Sequence, residues 1–346
     1  MANGAERVVG RLRTVCAASV LLVPALVFSG ATAEHFRMPK LLSGVGLVAL
    51  ALLAALLPGG RRTGELGDWM WMGVVVAALV SLGGGVHTPP AFEELMRLFA
   101  LAAAFALFRR LPRPGRLAGP LLAVGAVNAA LALAQAGGWR MADWMARAGR
   151  HAVYGTFGNP NFLAEFLAPL SAIALWRALA ARSVAASVPS AAALTLFVWA
   201  ILLTVSRAGW LGLFVGAAVT LAAARPELRP IGRRRRLLWM AVAVAAVAAL
   251  CWQPLAVRIG STLGRNDPGV LTRAFMWRTA AIQFREHPLL GTGPAGYGES
   301  YLETAARVRA RTGAGPAYAG MTREAHNDAL QLLAERGLLG AVAWLV

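Results

Sequence analysis

RAFMWRTAAIQFREHPLLGTG (Arg273–Gly293) and EAHNDALQLLAERGLLG (Glu324–Gly340) stand within the one long stretch of this chain that is not built for lipid, Arg258 to Gly337. The chain around it is 58% hydrophobic and 14% charged, with mean hydropathy +0.59. A soluble domain carries about 25% charged residues, so long uncharged runs at this composition read as an integral membrane protein. Apolar runs of spanning length fall at 12–33, 39–58, 68–86, 91–111, 116–136, 161–181, 188–206, 207–224 and 237–256. The expected fold is an all-α, polytopic membrane helix bundle of nine spans, with one long extracytoplasmic loop containing amphipathic helices. A tenth run begins near Gly337 and continues to Val346, the pattern expected of a piece of a longer protein. The expected organisation is therefore a bundle at 1–256, a loop at 257–336 and the start of a tenth span at 337–346. The first run also has a signal-peptide spelling, with Arg7, Arg11 and Arg13 before it and Ala31-Thr32-Ala33 after it. Its length and the spans that follow favour a retained helix.

The net charge is +18, and Lys40 is the only lysine. In a soluble protein that balance suggests nucleic acid. Here the arginines sit between apolar runs, so they report topology, and no nucleic acid partner is expected. With the N-terminus in the cytoplasm, the inside segments carry 17 arginines, while the short outside loops carry only Arg37, Lys40, Arg140, Arg147, Arg150 and Arg207. All five histidines, His35, His87, His151, His287 and His326, then fall outside, away from nucleotide-sugar chemistry. Cys16 and Cys251 lie in apolar runs and are placed neither as a disulfide nor as metal ligands.

Charges within or between spans are costly and need a partner. Arg97 has Glu93 and Glu94 one turn earlier. Arg207, in TVSRAGWLG, has no acid near it in sequence; its planar fork of donors suits a phosphate or carboxylate. Upstream, GTFGNPNFLAEFL (Gly155–Leu167) carries turn chemistry, with Asn161 as the expected helix cap. Glu165 lies one turn into the following span and also needs a partner. On a helical wheel, Trp277, Ala280, Ala281 and Phe284 gather on one face with Arg273, while Arg278 and Arg285 fall on another stripe. Arg273 is the functional candidate of the three and Arg278 a secondary one. His287-Pro288 ends this helix. Gly291-Thr292-Gly293-Pro294-Ala295-Gly296 spells GxGxxG, but no strand precedes it, so a dinucleotide site is discarded. His326 opens the last helix, with Ala329, Leu330 and Leu333 at i+3, i+4 and i+7, and is expected on its apolar face. Buried histidines of this kind are often purely structural. At the entry to a span, though, an imidazole is also placed to take a proton from a hydroxyl, with Asn327 or Asp328 to orient it. No HExxH, cysteine cluster or Walker motif occurs, so neither metal nor ATP nor another cofactor is indicated.

Taken together, SRAG (Ser206–Gly209), RxxxW followed by HPLLGTG (Arg273, Trp277, His287–Gly293) and AHNDALQLLAERGLLG (Ala325–Gly340) resemble the O-antigen ligase/polymerase superfamily; GTFGNPNFLA (Gly155–Ala164) fits the same pattern upstream. The resemblance implies a glycosyltransferase that moves a glycan from undecaprenyl diphosphate to an acceptor hydroxyl at the periplasmic face of the bacterial inner membrane. In the ligase the acceptor is lipid A core; relatives polymerise repeat units or use a protein acceptor. The resemblance gives the donor diphosphate to Arg207 and Arg273 and the acceptor proton to His326, without metal. An anion carrier of the bicarbonate type is the alternative of another class; it has no evident need of His326 or of a long outer loop.

Overall fold

A computed structural model of the chain describes residues 2–27, 89–111, 113–139, 153–224, 231–252, 268–313 and 322–345, with a few isolated positions elsewhere. The predicted spans at 39–58 and 68–86, those positions apart, and His35, His87 and His151 lie outside the described residues. Regular structure among the described residues is helical: α1 (Ala2–Leu26), α2 (Pro89–Arg109), α3 (Ala118–Ala136), α4 (Pro160–Ala180), α5 (Val184–Leu203), α6 (Arg207–Ala223), α7 (Ile231–Leu250), α8 (Pro268–Glu286), α9 (Gly296–Glu299), α10 (Tyr301–Thr312) and α11 (Asp328–Leu345). Among the described residues, four helical stretches are long and apolar enough to cross a membrane: Glu6–Leu26, Pro114–Ala136, Pro160–Ala180 and Val184–Leu203. Arg207–Ala223 and Leu237–Leu250 are apolar but shorter. α2 is helical where the fourth span is predicted, and Arg97 there pairs with Glu93 at 2.6 Å and Glu94 at 3.7 Å. Leu211, Phe214, Val219 and Trp239 are largely exposed, as side chains that face lipid rather than water are.

The chain divides into two units, one of Met1–Ala54 with Leu111–Ser261, the other of Ala55–Arg110 with Thr262–Val346. In the first, α4 packs against both α5 and α6, and α3 against α5. Leu163, Leu167, Phe197 and Ile201 are fully enclosed there. The α4–α6 seam is made of small residues. A Cβ on Gly209 would stand 2.5 Å from that of Ala164; the corresponding distances are 3.3 Å for Gly212 to Ala168 and 3.5 Å for Gly216 to Ala172. Small residues let membrane helices approach where no hydrophobic force between helices exists. Gly209→Val is therefore expected to push the two helices apart and cost about 1–3 kcal/mol. Thermal unfolding of the detergent-solubilised protein measures this, and an unchanged midpoint would contradict the seam. Buried polar groups tie the segment before α4 to α3. Asn128 accepts from the Thr156 backbone N–H at 3.0 Å and donates to the Ala25 carbonyl at 3.1 Å. Gln135 accepts from the N–H groups of Tyr154 and Gly155, each at 2.9 Å.

In the second unit α8 packs on α10 and α11 around Phe275, Ala280, Tyr297, Tyr301, Val308, Ala325 and Ala334. The buried stripe of α8 is Phe275, Thr279, Ala280 and Gln283, and not the predicted face centred on Trp277, which is 39% exposed. Two polar side chains make the difference. Thr279 donates to the Phe275 carbonyl at 3.0 Å, and Gln283 to that of Tyr297 at 3.2 Å. The Thr279 hydroxyl and the Gln283 amide N–H are thereby satisfied in the core, which lowers the cost of burying them, while the Gln283 amide oxygen is buried without a partner among the described residues.

α11 is broken at Gly337, whose φ is 59° and ψ −164°. A straight helix would bond the Leu338 and Leu339 N–H groups to the carbonyls of Ala334 and Glu335. Here the turn after α8 exchanges partners with it. Thr292 and Gly293 donate to those two carbonyls at 2.8 and 2.9 Å, while Leu338 and Leu339 donate to Pro288 and Leu289 at 2.9 and 3.3 Å. The HPLLGTG turn thus completes the hydrogen bonding of a helix that it does not belong to. A Cβ on Gly291 would collide with the backbone of Glu335 and Arg336, and one on Gly337 with the backbone of Leu289 and Leu290.

Candidate functional site

Arg207 is the first residue of α6. Ser206 caps the helix by accepting from Gly209 N–H at 3.3 Å, and its hydroxyl donates to Asn161 Oδ1 at 2.8 Å. The turn is closed by Thr204, whose hydroxyl oxygen accepts from Ser206 N–H at 3.2 Å. Val205 between them has φ +55°, a left-handed conformation that is uncommon for a β-branched residue. The exposed Asn161 is not the cap expected of it: Asn159 caps α4 by accepting from Asn161 N–H at 2.8 Å. Pro160 at the first helical position moves the cap one residue upstream of Pro, where a side chain reaches the next free N–H. Asn161 is instead what joins α4 to the SRAG turn across 45 residues of sequence. Glu165 is exposed on α4. Neither Glu165 nor Arg207 stands without a partner. The guanidinium of Arg207 thus sits at the positive end of a helix dipole, where anions are favoured.

The remaining candidates lie in the second unit. Arg273 is half-buried on α8, flanking the packed stripe on the side opposite Arg278 and Arg285, both exposed. His287 is exposed just beyond the helix end. His326 is not on the helix face assigned to it. α11 starts at Asp328, and Asn327 is its cap, accepting from Leu330 N–H at 3.1 Å. His326 precedes the cap, exposed, with φ +52°. The Asn327 side chain is therefore engaged by backbone. Periodicity carried the helix two residues too far, because an Asn cap ends the helical backbone before the apolar pattern ends.

Two residues overlooked in the sequence hold His326 in place. Gln331 reaches back from the first turns of α11: its carbonyl oxygen accepts from Ala325 N–H at 2.9 Å, and its amide donates to Glu335 Oε1 at 3.0 Å and to the Arg323 carbonyl at 3.4 Å. Glu335 is buried, and that burial lifts its carboxyl to about 7. Glu94 pushes it the same way, while Gln331, Arg336 and the Ala295 N–H oppose. Arg336, also buried, pairs with Glu94 at 3.5 Å. Both tyrosines of the core, Tyr297 and Tyr301, have hydroxyls raised by burial, so they remain neutral donors. The signal available in the sequence was a Gln and a Glu four apart, one helical turn, in an otherwise apolar run.

Among the described residues, no group of three His, Cys, Asp or Glu side chains is arranged to hold a metal ion. Arg207 and Asn161 belong to one unit; Arg273, Arg278, His326 and Asn327 belong to the other.

Residues 191–345 match the family model described as O-antigen ligase. No curated protein and no solved structure matches the chain. The matched segment contains SRAG, the α8 arginines, the HPLLGTG turn, and His326 with the broken helix behind it. Over this segment, a little under half of its length, the chain is similar to the O-antigen ligase family.

Proposed function

We propose that the protein transfers a glycan from an undecaprenyl-diphosphate-linked donor to an acceptor hydroxyl at the periplasmic face of the inner membrane, with lipid A core as acceptor. The observation that carries this is the match over residues 191–345. Donor and acceptor chemistry are supported by the residue types. Arg207 at a helix N-terminus and Arg273 on α8 neutralise the donor diphosphate by charge-assisted hydrogen bonds, so a metal is not required. His326 accepts the proton of the acceptor hydroxyl as its oxygen attacks the anomeric carbon. The glycosyl–oxygen bond to the diphosphate breaks in the same step, and undecaprenyl diphosphate leaves with its charge. The exposure of His326 suits a base that must reach a bulky acceptor. The topology that goes with this reading is a cytoplasmic N-terminus, nine spans and a periplasmic loop.

In a deletion strain, free undecaprenyl-linked polymer with unmodified lipid A is expected. Single repeat units on lipid A would instead identify a polymerase. Arg207→Ala and Arg273→Ala in the full-length protein are each expected to abolish transfer assayed in EDTA buffer, while insertion into the membrane is retained. A charged hydrogen bond to a leaving group contributes roughly 3 kcal/mol, about a hundredfold in rate or more. Near-normal transfer by both variants would remove the diphosphate role.

A further inference from the structure

Three arginines outside the proposed diphosphate pair converge on one groove. Arg278 and Arg285 lie two helical turns apart on α8, with Ala281 and Ile282 between them; Arg311 and Thr312 face them from α10, and Val308 closes the floor. The groove has a volume of about 210 Å³, smaller than the roughly 300–1,000 Å³ of drug-sized sites and suited to a single sugar-sized group. The three guanidiniums are exposed and have no carboxylate partner among the described residues. The nearest acid in sequence, Glu286, is taken: Arg307 holds both its oxygens, at 2.5 and 3.1 Å, and reaches toward Glu303 at 4.0 Å. An acid is thus adjacent to the groove but paired away from it, which leaves three like charges on two packed helices uncompensated. Their mutual repulsion is relieved by a bound anion, and guanidiniums present planar forks matched to phosphate or carboxylate. The floor of Ala281, Ile282 and Val308 adds an apolar surface against which the C–H face of a sugar ring packs.

We infer that the groove between α8 and α10 is a second anion site, distinct from Arg207 and Arg273, that binds a saccharide bearing a phosphate or carboxylate. The site recognises a charged sugar without taking part in bond breaking. The shared chemistry has two sources, the glycan of a substrate or an anionic headgroup at the membrane surface, and the test separates them.

The full-length protein is placed in phosphatidylcholine nanodiscs and titrated with glucose 6-phosphate, with glucose as the uncharged control. Binding of glucose 6-phosphate is expected, at least tenfold tighter than glucose, weakened by salt and reduced at least tenfold in the Arg278→Gln, Arg285→Gln, Arg311→Gln triple variant. All three side chains are exposed and have no carboxylate partner among the described residues, so the variant keeps its fold; an unchanged melting temperature checks this. If binding persists in phosphatidylglycerol discs, the groove takes the glycan's charge. If phosphatidylglycerol abolishes it in the wild type, the groove is held by a lipid headgroup. Both results support the site. Equal affinity in the wild type and the triple variant, or no discrimination against glucose, would overturn it. Because the readout is binding, it stands or falls apart from transfer activity.

Discussion

His326→Ala in the full-length protein is expected to lower glycan transfer by about 10²–10⁴-fold, the range that a positioned general base contributes, while leaving the protein folded. The separation is built into the geometry. The side chain is exposed and precedes the helix, so it contributes little packing. The cap of α11 comes from Asn327, and the backbone on the other side of His326 is held by Gln331. Both survive the substitution. The conjugate variant Asn327→Ala loses the cap, at a cost of about 1 kcal/mol, and is expected to lower stability first and activity second. A single-turnover transfer assay beside a melting curve distinguishes the two. Wild-type turnover in His326→Ala would end the assignment of a base, and partial rescue of that variant by added imidazole would strengthen it.

The second large effect is structural. Gly337→Val is expected to destabilise the second unit by about 4 kcal/mol, enough to lose most of a marginal domain's stability. A left-handed conformation costs a side-chain-bearing residue about 1–2 kcal/mol. The added Cβ also meets the backbone of Leu289, so the turn must withdraw, and four exchanged hydrogen bonds of about 0.5–1.5 kcal/mol each go with it. Expression level and thermal unfolding in detergent are the measurements. A Gly337→Val protein that melts with the wild type would mean that the helix break is not held by the turn.

Helix positions were legible from apolar runs, and the edges of α3 to α6 fall within a few residues of the runs that announced them. Arg97 and its acids were legible because both ends of the pair lie on one helix. What was not legible involves polar groups satisfied at a distance. Thr279 and Gln283 are buried on α8 while Trp277 is not; each donates a hydrogen bond to a backbone carbonyl, and a hydrophobicity pattern scores them as surface. Asn161 meets Ser206, and Gln331 meets Ala325, through contacts that no local rule announces. The glycines of HPLLGTG were recognised as a turn, but nothing in their spelling indicates that their partner is a helix forty residues on. Arg273 was singled out by the helical wheel, Arg207 by a charge with no acid near it in sequence, and His326 by a periodicity that put it on a helix face it does not occupy.

The exchange at Gly337 also bears on the order of assembly. The part of α11 beyond the break draws two of its backbone partners from residues 288 and 289, and the part before it draws two from 292 and 293. Neither half can finish its ladder until a segment synthesised earlier has returned to meet it. The half next to His326 has its Ala334 and Glu335 carbonyls satisfied only when the turn docks. Completion of this helix is thus conditional on a contact between distant parts of the chain.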